Sequence, residues 1–194
     1  MKKNDIANLT LFLLLLSALC ATMVSGVHSM TAPIIAKMEK HALEASYAEI
    51  YPGFDKIEQV QELKKENGIN SILIVEKLGQ PIGIIYNVIA NGYTGQIDIL
   101  LAFDIEKARL TGIKILKQSE TPGLGANAAK PPFTNQFKQK DIISPLRVVK
   151  TTTSSDNEVQ AITSATITSK AVVAGINNAR THFIANYRQG VSGK

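Results

Sequence analysis

The hydrophobic pattern of this chain changes period three times. From Ile6 to Val27 there is no Asp, Glu, Lys or Arg. A helix over that run is about 33 Å long at 1.5 Å per residue, enough to cross a bilayer core of about 30 Å. From Pro33 to Tyr51 the apolar residues Ile35, Met38, Leu43, Tyr47 and Ile50 recur every three to five positions. This predicts an amphipathic helix, ended near Pro52-Gly53, that packs on the domain after it. From Asn70 the pattern switches to short apolar runs split by turn residues. Strands are predicted over 71–77, 82–90, 96–104 and 109–117, with Leu78-Gly79-Gln80-Pro81 and Asn91-Gly92-Tyr93-Thr94-Gly95 as turns. Successive strands on short turns make an antiparallel meander. A proline-bearing loop covers 119–145, and residues 146–150 offer one more strand. The period returns to helical in Val172, Ile176, Ala179, Phe183 and Tyr187, with Gly190 as the stop.

The fold class that this order implies is α+β: an antiparallel sheet with packed helices behind one N-terminal transmembrane helix. Three segments are expected. Residues 1–30 form a short tip and the membrane helix, 31–55 a connecting helix, and 56–194 the domain. Lys2 and Lys3 precede the apolar run, so the positive-inside rule puts the N-terminus in the cytoplasm and the domain outside. A cleaved signal peptide is the rival. Val24-Ser25-Gly26 is a passable cleavage site, but the run is long and no A-x-A follows it. Leu19 is too large for the position before a lipidated Cys20.

Composition narrows the chemistry. The single cysteine, Cys20, cannot form an intrachain disulfide or a thiolate cluster, and His28, His41 and His182 are scattered. The formal charge is +5, and the basic residues beyond the tip do not cluster, which argues against nucleic acid. The run Gly123-Leu-Gly125-Ala-Asn-Ala128 fits a relaxed dinucleotide loop, but Pro131-Pro132 would end any helix after it and the strands before it read antiparallel. A tight loop admitting a flat or charged group is the plainer reading. The chain has no G-x-S-x-G, H-E-x-x-H or P-loop.

Hydroxyls crowd the start of the last helix at Thr163, Ser164, Thr166, Thr168 and Ser169, with Lys170 beside them. Two readings stand: helix capping, which needs one such residue, or an anion site at the positive helix end, fit for a phosphate-bearing ligand.

The run Ser164-Ala165-Thr166-Ile167-Thr168 resembles the S-G-A-T-x-T flavinylation motif of the FMN-binding domain family. Glu120-Thr-Pro-Gly-Leu-Gly125 resembles that family's E-T-P-G-L-G loop, and Gly92-Tyr93-Thr94-Gly95 ahead of a strand is also similar. The resemblance spans essentially the whole chain. It implies FMN joined through a phosphoester to Thr168. It places Thr163, Ser164, Ala165, Thr166 and Lys170 at the phosphate end, and Glu120, Thr121, Gly123, Leu124, Gly125 and Tyr93 around the flavin. Gln160, Ser164 and Gln118 stand where the family often has Asp, Gly and His. One membrane helix before such a domain resembles the G subunits of Rnf-type ion-translocating ferredoxin:NAD⁺ oxidoreductases. The implied partners are other membrane and peripheral subunits, membrane lipid and a flavin-transferring enzyme. The implied location is the cell (inner) membrane. A C-subunit-like role in a sodium-pumping NADH:quinone reductase, or a non-redox binding module, are the alternatives.

Overall fold

The structure, a computed structural model, describes residues 3–60 and 67–188. Lys2 and Gly190, which the sequence uses for topology and for the helix stop, lie outside the described residues. The chain divides into two compact units, 1–45 and 46–194.

Helix α1 runs unbroken over Lys3–Ile50 and contains Pro33. The membrane and amphipathic helices expected separately are therefore one element. A lone proline removes one backbone donor, and no turn sequence accompanies it before Pro52-Gly53, where the helix does end. The stretch Asn8–Ile50 contains a window long and apolar enough to cross a membrane, and its large apolar side chains from Leu9 to Met38 are exposed.

In the second unit, strands β1 (Lys56–Gln59), β2 (Ile69–Lys77), β3 (Gln80–Asn91), β4 (Gln96–Asp104), β5 (Arg109–Gln118) and β6 (Lys140–Asp141) form one sheet in sequence order. Every pairing in it is antiparallel. The expected meander is present, with short extra strands at both edges. Between β5 and β6 the proline-bearing loop folds into a 3₁₀ turn (Gly125–Ala129), helix α2 (Pro131–Thr134) and a second 3₁₀ turn (Asn135–Phe137). Strands β7 (Arg147–Val149) and β8 (Glu158–Gln160) then make a separate parallel pair. The expected strand at 146–150 thus pairs outside the meander.

Strand alternation sorts the sheet residues onto two faces. On one, Tyr86, Val88, Ile99, Leu101 and Phe103 pack under helix α3 (Thr166–Phe183), which buries Val172, Ile176, Ala179 and Phe183. This is the predicted stripe; Tyr187 comes after it in a π-helical turn over Ile184–Arg188. The other face buries Leu73, Val75, Ile85, Leu100 and Ala102 beneath Ile50 and Tyr51. Docking α3 across β3 and β4 brings its N-terminus beside the β3–β4 turn and the loop that leaves β5.

Candidate functional site

The site forms around one carboxylate. Glu120 follows β5 and is only 5% exposed. Its Oε1 accepts the backbone N–H of Thr94 at 2.8 Å and that of Gly95 at 3.4 Å. The Tyr93 N–H also serves it. Its Oε2 accepts the Thr168 hydroxyl at 2.5 Å. Its own N–H donates to Gln118 Oε1 at 2.7 Å, so the glutamine at the family's histidine position fixes the backbone of this carboxylate. Burial pushes the Glu120 carboxyl up; the hydrogen bonds from Thr168 and the three backbone groups outweigh it, and the carboxyl is held below its usual range. Glu120 is therefore a fully ionised acceptor at neutral pH.

Two glycines make this arrangement fit. A Cβ on Gly92 would lie 2.5 Å from Glu120 Oε1 and 2.9 Å from the Gly95 carbonyl oxygen. A Cβ on Gly125 would collide with the Glu120 carboxylate and lie 2.7 Å from Thr168 Oγ1. The sequence assigns Gly125 to the approach of a ligand; in the structure its bare α-carbon first admits the Glu120–Thr168 pair.

Thr168 sits in the first turn of α3 and is 1% exposed. The Ncap of α3 is Ala165, which makes no side-chain cap. The capping reading of the hydroxyl cluster is thus not how this helix begins, and its first N–H groups stay available to an anion. Ser169, also buried, is structural: its Oγ accepts the Ile162 N–H and donates to the Ala165 carbonyl, both at 3.0 Å. Ser164 adopts φ 61°, a left-handed conformation at the position where the motif has Gly.

Beside this pair opens a cavity of about 430 Å³, lined by Tyr93, Glu120, Thr121, Leu124, Gly125, Ser164, Ala165, Thr166, Ile167 and Thr168. That is within the range of small-molecule sites. It gathers nine of the residues predicted from sequence. Gly123, Thr163 and Lys170 do not line it. Gly123 turns the loop with φ 79°. Thr163 lines a neighbouring hollow of about 390 Å³ with Asn127, Gln136 and Gln160. Lys170 is exposed one position past Ser169. Ile167 was not among the predicted residues; an apolar side chain between two motif threonines is its only sequence signal, and it is 55% exposed.

Comparison with known proteins fits this geometry. The model of the FMN-binding domain matches residues 92–181, the span that holds both motifs. The G subunit of the Na⁺-translocating ferredoxin:NAD⁺ oxidoreductase complex of Acetobacterium woodii is 34% identical over 87% of each chain. The chain belongs to this G-subunit family. The G subunit of the proton-translocating complex of Clostridium ljungdahlii is 31% identical over 91% of each chain. Among solved structures, the C subunit of the Na⁺-translocating NADH-quinone reductase of Parabacteroides distasonis matches with TM-score 0.54 and 26% identity, over 72% of this chain and 81% of that one. NqrC of Shewanella oneidensis shares the fold with TM-score 0.56 at 16% identity, over 70% of each chain. FMN is the cofactor to which the site must answer. Its donor set suits a phosphorylated flavin: hydroxyls and free helix N–H groups at one end, and the exposed Tyr93, Leu124 and Ile167 at the rim.

Proposed function

We propose that this chain is the membrane-anchored flavoprotein subunit of an Rnf-type ferredoxin:NAD⁺ oxidoreductase complex. It carries FMN through a phosphoester at Thr168, relays electrons, and has no turnover alone. One observation carries the assignment of the residue. Of the motif threonines, Thr168 is the one whose hydroxyl is bonded to a buried carboxylate at the floor of the cavity. Thr166 lines the same cavity half-buried, two positions earlier in the chain. When bound, FMN supplies reversible electron transfer. The first turn of α3 would hold the phosphate end, and Tyr93 and Leu124, which line the same cavity from two separate loops, would flank the ring. A hydroxyl is a weak nucleophile, so a flavin-transferring enzyme acts in maturation. The anchor is α1, with the N-terminus cytoplasmic and the domain outside the cell membrane. The partners are the other subunits of the complex and lipid.

The test is intact mass spectrometry of the membrane-extracted full-length chain. Wild type carries the mass of one FMN less one water, and visible absorbance stays with the chain after denaturation. Thr168→Ala loses the increment, while Thr166→Ala keeps at least part of it. A Thr168→Ala chain that still carries the full increment defeats the assignment. The likeness to a C subunit at 26% identity favours one second reading, a sodium-pumping NADH:quinone reductase. Purifying the assembled complex decides between them, since one oxidises ferredoxin and the other reduces quinone.

A further inference from the structure

We infer that Glu120 is the proton acceptor for attachment of the flavin to Thr168, and that it keeps this proton in the flavinylated protein. The inference rests on the proposed attachment at Thr168 and adds the group that activates it. The geometry is already that of a nucleophile and its base: the Thr168 hydroxyl donates to Oε2 of Glu120 at 2.5 Å. The other carboxylate oxygen is occupied by the backbone of the 93–95 turn, so the side chain is aimed and cannot rotate away without losing those bonds. Among the described residues no histidine or lysine is bonded to the Thr168 hydroxyl.

Chemistry defines the step. Esterification needs a flavin nucleotide whose phosphate is already in a phosphoanhydride, because a bare monophosphate offers only water as leaving group. The Thr168 Oγ–P bond forms and the anhydride P–O bond breaks. The second phosphate leaves with its bridging oxygen and the electron pair of that bond. The hydroxyl proton passes to Glu120 Oε2. No electrons are gained or lost overall.

Retention of the proton follows from what the ester does to Glu120. Once Thr168 Oγ is esterified it has no hydrogen to donate, so Oε2 loses its partner. An anionic phosphodiester also stands next to a carboxylate that is 5% exposed. Two like charges that close, out of water, are resolved by protonating one of them. The protonated Glu120 then has a hydrogen to donate toward the ester, while its backbone bonds to the 93–95 turn still hold it.

The experiment uses the full-length chain produced with and without the flavin-transferring enzyme, with intact mass read against time. Glu120→Gln keeps an oxygen for the backbone donors but cannot take the proton. Labelling is expected to slow by about 10²-fold or more, with the thermal transition retained. Glu120→Gln labelled at the wild-type rate, with Thr168→Ala unlabelled, overturns the role of Glu120 and leaves the attachment site standing. Thr168→Ala labelled as wild type sinks the attachment site itself. Should Glu120→Gln not fold, infrared spectra of wild type decide. A carboxylic-acid carbonyl band is expected in the flavinylated chain and not in the chain made without the enzyme. A flavinylated chain lacking that band overturns the inference.

Discussion

Ser164 holds φ 61°, a region that costs an L-residue about 1 kcal/mol or more. Glycine would relieve that cost and give part of it back as chain entropy when unfolded. Ser164→Gly should therefore raise stability by about 0.5 kcal/mol, seen as a higher urea midpoint at unchanged slope; an unchanged or lower midpoint refutes the strain. Gly125 predicts the opposite sign. The added methyl of Gly125→Ala meets Thr168 Oγ1 at 2.7 Å and the Glu120 carboxylate, an overpacking that costs about 1–3 kcal/mol. Because the collision falls on the pair that presents the hydroxyl, flavin content should drop together with the melting temperature. Normal flavin content in Gly125→Ala would show that the pair tolerates displacement. At this scale the sequence was a partial guide. The apolar stripe from Val172 puts Thr168 near the start of the last helix, where the structure has it in the first turn. That Thr168 bears the flavin and Glu120 stands near it is implied by the family resemblance alone, which carries no bond between the two. That bond joins residues 48 apart in the chain, and no local pattern records such a distance.

At the scale of elements, legibility followed length. Strands β2 to β5 are long enough for period-two alternation, and they fall within a few residues of their predicted places. The three-residue strands β7 and β8 carry no period at all. Beside their backbone ladder they are tied by Glu158, which accepts the Ser154 N–H, the Ser154 hydroxyl and the Ser155 N–H and pairs with Arg147 at 2.6 Å. The Ser154 N–H above all, against the opposing effect of burial, holds the Glu158 carboxyl down to about 2. An unperturbed glutamate sits at 4.5. A depressed folded-state value means stability that is complete above the unfolded value and lost as pH falls toward the folded one. The contribution of Glu158 should therefore disappear between about pH 4.5 and about pH 2. Denaturation of wild type and Glu158→Gln across that window should show the two stabilities converging. Parallel curves would mean that Glu158 does not pin the pair. The difference between the chains is the informative quantity, because Glu120 is depressed as well and destabilises both chains as pH falls.

For the whole molecule the question is where anchor ends and domain begins. Lys2 and Lys3 predict that protease added to wall-stripped cells cuts after His28, and cleavage only in inside-out vesicles would reverse the orientation. The sharper prediction concerns the last turn of α1, which belongs to the fold of the second unit although it is continuous with the hydrophobic helix. Ile50 and Tyr51 are buried over Leu73, Val75, Ile85, Leu100 and Ala102. The Tyr51 hydroxyl donates to the Ile82 carbonyl at 2.7 Å, its ring lies where a side chain on Gly83 would be, and Thr111 donates to the Ile50 carbonyl at 2.7 Å. Each fully buried side chain of this kind is worth about 1.5–3 kcal/mol. Losing two, and exposing the apolar sheet face beneath them, removes much of a domain's total margin of about 5–15 kcal/mol. A chain cut to begin at Ser46 should therefore be soluble and unfold cooperatively. One cut to begin at Phe54, only eight residues later, should melt far lower or aggregate through its bare sheet face. Equal melting temperatures for the two truncations would show that the second sheet face stands without the helix end, and that the cover belongs to the anchor alone.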